Sequence, residues 1–469
     1  MSMPPIWQLG IADLAEAYRA GRTDPVQVAA VYMARIAEID PKLNCYVALN
    51  PTLAAEAAES ARLLAAGTPR SLLEGVPIAV KDNLVARGMP ATWGSALFAD
   101  QGVRDSDELP VARLRAAGAL ILGKTNTPEF AVEGYTHNRL FGTTGNAWNP
   151  GLTPGGSSGG SVSAVAAGLA VAAIGTDGGG SIRRPAGYTG LHGLKPTIGA
   201  VPRAGGLPQV LLDFEVVGGL ARSARDLRIL HEVLAGEDRA DPMSRRRAGD
   251  PCSRDHLRIL YVPRLGDNPC DPGILAACAD LADDLRALGH EVTEGEMPFD
   301  LAALNAFWPR FGQTGLAAMR RALPEMASKA SKPYLAMADQ GDEITAAEFY
   351  GALDLVRELR AAASAFFADV DVIMTPSSAA QPWPADQPFP PEIDGQEVGP
   401  RGHAVYTGWV NAAGLPGLNV PAGLDADGMP VGAQLVGDIF ADIRLLELAA
   451  TLEDRRGGWQ FPGWLTQKD

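Results

Sequence analysis

An α/β fold, with a central mixed β-sheet covered by helices on both faces in a single large domain, is what this 469-residue sequence predicts. Three observations carry the prediction. Short runs of successive apolar residues alternate with helical segments, and strands apolar on both faces belong inside a sheet that is covered on both sides. Glycines and prolines bound these runs, as expected where regular structure stops. Neither an internal repeat nor a long polar tether divides the chain into modules.

The first 70 residues read as helices. IADLAEAYRAG is one, and VQVAAVYMARIAEID follows the start signal Asp24-Pro25, with Val28, Val31, Tyr32 and Ile36 forming a stripe of helical period. PTLAAEAAESARLLAAG makes a third. Strand runs follow at 76–83 (VPIAVKDN), 119–126 (ALILGKTN), 169–177 (LAVAAIGTD), 257–263 (LRILYVP), 370–377 (VDVIMTPS) and 418–423 (LNVPAG). Segments 71–235 and 370–465 are therefore expected to build the α/β core of a domain spanning 1–469. The intervening 236–369 is richer in charge and mostly helical, with LAACADLADDLRALG and AAEFYGALDLVRELRAAASAFFADV as its clearest helices. It reads as a variable cover or insertion.

Composition excludes several classes. Hydrophobic residues make up 46% and charged residues 20%, a globular balance that can bury a core. A formal charge of -15 repels polyphosphate, so nucleic acid is not an expected partner. The basic run Arg245-Arg246-Arg247 sits in a polar stretch and reads as a solvated linker. Cys45, Cys252, Cys270 and Cys278 show neither CxxC pairing nor a histidine at zinc-ligand spacing, so no metal site or disulfide framework is expected. The sequence has no 18-residue uncharged apolar span and no leader pattern at its start, which predicts a cytoplasmic enzyme without a membrane partner.

Chemistry concentrates in two glycine-serine clusters and one lysine. Gly155 to Ser161 hold four glycines and three serines, and run into VSAVAAG, which reads as a helix of small residues. A phosphate loop would need a Gly-Lys-Ser/Thr ending, and no lysine occurs between Lys124 and Lys195. A Gly-x-Ser-x-Gly nucleophile elbow matches twice, but NAWNPGLTP, which precedes it, is not a strand. The second cluster, Gly178-Gly179-Gly180-Ser181, does follow a strand. Bare N–H groups beside one hydroxyl are what an oxyanion hole next to a nucleophile needs. For a base, none of His137, His192, His231, His256, His290 and His403 lies in a motif that ties it to Ser181, and His192 reads as structural. Lys81, at the end of an apolar strand, can serve if burial lowers its pKa.

Together, GVPIAVKDN, PGGSSGGS and GTDGGGSIRRPAGYTGLHGLKPT, with Ser181 lying 24 positions after Ser157, resemble the signature motifs of the amidase signature family of serine hydrolases. DPVQVAAVYMARIAEIDPKLNCYV is similar to that family's N-terminal helices, and ALILGKTNTPEF and NAAGLPGLNVPAGLDADGMPVGAQLVG to its later strands. The resemblance implies the amidase-signature fold and gives each residue a role. Ser181 would be the acyl-forming nucleophile, Lys81 the base, and Ser157, after a cis peptide bond, the serine that bridges them. Ser158 would be a helper hydroxyl, Thr176, Asp177 and Arg183 would brace the loop, and the N–H groups of Gly178, Gly179, Gly180 and Ser181 would cradle the oxyanion. No cofactor is implied, the partner is a small-molecule amide, and homodimers are common. Gly178 stands where that family often has a larger residue, which predicts a looser loop or a roomier acyl pocket, and Trp93 stands where small or polar residues are frequent, so that either departure would shape the substrate pocket. Trp93, Tyr135 and Trp409 are the expected pocket aromatics, with Trp409 foremost, although these three, like Phe141 and Trp308, read equally as core. Alternatives are the glutaminase subunit of a transfer-RNA-dependent amidotransferase, which shares these motifs and works with protein partners, an α/β hydrolase with a Ser-His-Asp triad at Ser157 or Ser158, and a catalytically silent binding protein.

Overall fold

The computed structural model describes residues 3–245 and 255–466. Arg246, Arg247 and Cys252, and so most of the basic run, lie outside the described residues. One sheet of 11 strands runs through the molecule: β1 Tyr46–Leu49, β2 Pro77–Lys81, β3 Leu120–Thr125, β4 Ala172–Asp177, β5 His192–Lys195, β6 Val216–Ala221, β7 Arg258–Tyr261, β8 Glu291–Glu294, β9 Val372–Pro376, β10 Gly417–Leu424 and β11 Pro430–Gly437. Their spatial order is β1-β3-β2-β4-β6-β5-β10-β11-β9-β7-β8. β3, β2 and β4 run parallel, as do β9, β7 and β8, and the central strands pair antiparallel. The sheet is thus mixed, as expected.

Burial follows the sequence pattern. Every residue of β2, β3, β4, β6, β9 and β11 is buried, because helices cover both faces. The edge strand β8, Glu-Val-Thr-Glu, is largely exposed, and its two charges suit an unpaired edge.

Helices α1 Ile11–Arg19, α2 Pro25–Leu43 and α3 Leu53–Ala65 form the N-terminal layer. Asp24 caps α2 by accepting the Gln27 N–H at 2.9 Å, with Pro25 at the first turn, as the start signal predicts. Farther along lie α4 Gly159–Ala166, α5 Arg183–Thr189, α6 Pro272–Ala287, α7 Ala302–Ala322, α8 Ala346–Phe366, α9 Gly408–Ala413 and α10 Asp442–Arg456. Asp271 caps α6, and Thr345 with Glu348 forms a capping box at the start of α8.

Two differences from the sequence reading have physical causes. NCYV, grouped with the N-terminal helices, leaves the helix at Asn44 (φ 56°) and enters β1, an edge strand antiparallel to β3. Segment 236–369 is no mere cover, because it donates β7 and β8 to the main sheet and α7 to a wall of the cleft described below. Val372, Ile373 and Met374 of β9 need a second neighbour, and β7 supplies it.

Candidate active site

Parallel pairing of β2 with β4 brings their carboxyl ends together, the region of an open α/β sheet where ligands bind. Lys81 ends β2, and Thr176 and Asp177 end β4. Lys81 Nζ lies 2.7 Å from Ser157 Oγ, 2.9 Å from Thr176 Oγ1 and 3.4 Å from the Thr176 carbonyl. Asn83 donates to the same Thr176 hydroxyl at 2.9 Å. Burial without a direct carboxylate partner pushes Lys81 down to about 7, only partly offset by the more remote Glu215 and Asp177.

The first cluster does not follow a strand. It packs beneath the second, entering α4 at Gly159, and its Gly156–Ser157 peptide bond is cis. Thr127 Oγ1 holds the Ser157 carbonyl at 2.9 Å. Ser158 N donates to the Ser181 carbonyl at 3.2 Å, and Ser158 Oγ donates to the Thr176 carbonyl at 3.3 Å. The two clusters are therefore adjacent in space. All three serines are buried, but only Ser181, at 8% exposure, lines a cleft of about 390 Å³. Among the described residues no histidine nitrogen is hydrogen-bonded to Ser157, Ser158 or Ser181, so a Ser-His-Asp triad has no geometric basis. His192 instead meets Glu453 at 3.3 Å.

Asp177 organises the loop between β4 and α5. Its carboxylate accepts from Gly180 N at 2.7 Å, Ile182 N at 3.0 Å, Arg183 Nη2 at 2.8 Å and Asn411 Nδ2 at 3.0 Å. Burial opposes ionisation, but the Arg183 guanidinium and these N–H donors hold the carboxyl well below the usual range. Arg183 reaches on to Gln434 Oε1, Asn411 Oδ1 and the Thr407 carbonyl, tying the loop to β11 and α9. This bracing set of Asn411, Thr407 and Gln434 was not singled out in the sequence, although Asn411 and Gln434 lie within the resembling C-terminal segment. Single amides carry no spacing signal until the fold joins them.

Three expectations need correction. The Gly180 N–H is committed to Asp177, which leaves Gly178, Gly179 and Ser181 as the loop donors without a protein acceptor among the described residues. Gly180 also has to be glycine: its φ is 112°, and a Cβ would meet Thr407 Oγ1 at 2.3 Å. Gly178 does not enlarge the pocket, because the Leu211 side chain fills the space and a Cβ would meet its Cδ1 at 2.5 Å.

The expected pocket aromatics also lie elsewhere. Trp93, at φ 52°, turns into an apolar cluster with Phe98 and Phe130, at ring distances of 5.8 and 5.7 Å. Trp409 packs on Phe299 at 5.7 Å; two positions apart on α9 face different ways, so Asn411 reaches Asp177 while Trp409 enters the core. Tyr135 stacks on His137 and gives the site only its backbone, which lies too close to Gly156 for any Cβ there. The indole in the cleft wall is Trp308 of α7, joined one turn later by Gly312.

Fold and motif geometry together define a class of amide hydrolases. The chain belongs to the amidase family, whose model matches residues 27–446, and it is an enzyme acting on amide C–N bonds. It is 34% identical over 480 residues to a glutamyl-tRNA(Gln) amidotransferase subunit of Symbiobacterium thermophilum, covering 94% of this chain and 95% of that one. It is 32% identical over 459 residues to an acylamidase of Rhodococcus erythropolis, covering 95% of each. A bacterial aryl acylamidase of the amidase signature family superposes with a TM-score of 0.88 at 27% identity, over 96% of this chain and 97% of that structure. Among the described residues no helix is long and apolar enough to cross a membrane.

Proposed function

We propose that the protein hydrolyses a small-molecule carboxamide to a carboxylic acid and ammonia or an amine, through an acyl-enzyme on Ser181. The buried approach of Lys81 Nζ to Ser157 Oγ at 2.7 Å, with Lys81 brought to about 7, carries this reading. Neutral Lys81 takes the Ser157 proton while Ser157 takes that of Ser181, whose oxygen attacks the amide carbonyl. The N–H groups of Gly178, Gly179 and Ser181 receive the developing oxyanion, each such donor contributing about 3 kcal/mol to the barrier reduction. The proton returns along the same relay to the departing nitrogen as the C–N bond breaks. Water then attacks the ester by the reverse relay, releasing the acid and restoring Ser181. This reading needs no metal or organic cofactor and fits a cytoplasmic enzyme.

Labelling with a fluorophosphonate, mapped by mass spectrometry, tests it. The label is expected on Ser181 and absent from Ser181→Ala; a label on Ser157, or on no serine, overturns the reading. A second reading, the glutaminase subunit of a transfer-RNA-dependent amidotransferase, is favoured by the similarity to the Symbiobacterium thermophilum protein. Assay of the isolated chain on aliphatic, aromatic and amino-acid amides and on L-glutamine separates the two. Turnover of simple amides without partners supports the amidase, whereas hydrolysis of glutamine alone, only after partner subunits are added, supports the second.

A further inference from the structure

One wall of the cleft carries charge that the acyl-transfer steps do not use. Arg184, three residues beyond Ser181 and only 5% exposed, donates Nη1 to the Gly179 carbonyl at 3.1 Å and to Thr407 Oγ1 at 3.4 Å, but its buried Nε has no partner. Arg401 lines the same cleft, and its guanidinium makes no hydrogen bond or ion pair with any described residue. His403 is 2% exposed, and both ring nitrogens are unpartnered. Gly134 lets this imidazole approach, since a Cβ there would lie 2.3 Å from Nε2. Glu133, also in the lining, is attracted to Arg401 without forming an ion pair.

We propose that Arg184, Arg401 and His403 form a subsite for a carboxylate, so that the substrate is an amide bearing an acid group elsewhere in the molecule. This rests on the amidase reading above and narrows its substrate class. A buried donor left without an acceptor keeps its desolvation penalty, which a bound anion removes. Two guanidiniums sharing a small cleft repel each other, and each offers a planar fork matched to a carboxylate. Burial lowers Arg401 to about 10, which leaves it cationic at neutral pH. Burial also pushes Glu133 up to about 7, weakening its competition for Arg401. His403, held well below its ordinary value by burial, is neutral and keeps one N–H to donate. A wholly apolar amide would leave the Arg184 Nε, the Arg401 guanidinium and the His403 ring nitrogens without a partner.

The test compares malonamic, succinamic, glutaramic and adipamic acids with the alkanamides of the same carbon count, and N-acetylglycine with N-ethylacetamide. At least one acid is expected to show kcat/KM about tenfold or more above its neutral counterpart, and Arg401→Gln to lower that ratio by a similar factor. Arg184→Gln is expected to act in the same direction. Neutral amides turned over as well as the acids, with Ser181 still labelled, overturn the subsite and leave the amidase reading standing. Should no amide react, calorimetric titration of glutarate onto Ser181→Ala decides the subsite separately. Binding that weakens tenfold or more in the Ser181→Ala, Arg401→Gln double variant supports it, and no binding of any diacid overturns it.

Discussion

At the scale of single residues, the proposed chemistry turns on a lysine made neutral by burial. Lys81→Ala removes the relay, and kcat is expected to fall by about 10³- to 10⁴-fold while fold and Ser181 accessibility persist, read by steady-state kinetics and circular dichroism. The sign of the pH dependence follows from the same shift. The base works unprotonated, so kcat/KM should rise with slope one up to about pH 7 and level off above it. A descending limb at that pH would mean that the protonated lysine is the working form.

Elements decide which glycines and tryptophans matter. In the loop between β4 and α5, Gly180→Ala meets both a positive φ and the Thr407 side chain, whereas Gly178→Ala meets only the movable end of Leu211. Gly180→Ala should therefore cost well over tenfold in kcat, and Gly178→Ala much less. Helix α9 sends Asn411 to the loop and Trp409 to the core. Trp409→Ala is expected to destabilise the protein by about 3–5 kcal/mol in denaturant titration without changing relative kcat/KM across an amide panel. Trp308→Ala, on the cleft wall, should alter that ranking instead. These contrasts also locate what the sequence concealed. Lys81, Ser157 and Ser181 stood out because glycine clusters and an apolar strand mark their motifs, and the resemblance of those motifs to one family supplied the roles proposed for them. Trp93, Tyr135 and Trp409 were misplaced because an aromatic ring looks the same in the sequence whether it lines a cleft or fills a core.

Across the whole molecule, the continuous sheet makes segment 236–369 indispensable. Deleting it with a short linker would strip β7 from β9 and leave Val372–Met374 as an apolar open edge. Such a variant should aggregate, seen as a void-volume peak in size-exclusion chromatography, where excision of a separable insertion would leave a monodisperse core. The buried tie from Asp177 through Arg183 to Asn411 and Gln434 works at the same scale, linking β4, α9 and β11. Removing one partner leaves a buried charge uncompensated. Arg183→Met should cost about 3–5 kcal/mol of stability.

By itself the sequence determined the α/β class and most of the strands, because apolar runs, caps and glycine-rich turns are local signals that act within a few residues, and its motifs, through their resemblance to one family, singled out the three residues of the proposed relay. Tertiary structure alone decided which aromatic ring lines the cleft, which loop N–H groups stay free, and which arginines face the substrate space. Each of these depends on contacts between segments as distant as Ser181, Trp308 and Arg401. Such contacts arise only when strand order and helix packing close the cleft, and no local pattern along the chain encodes which faces will meet.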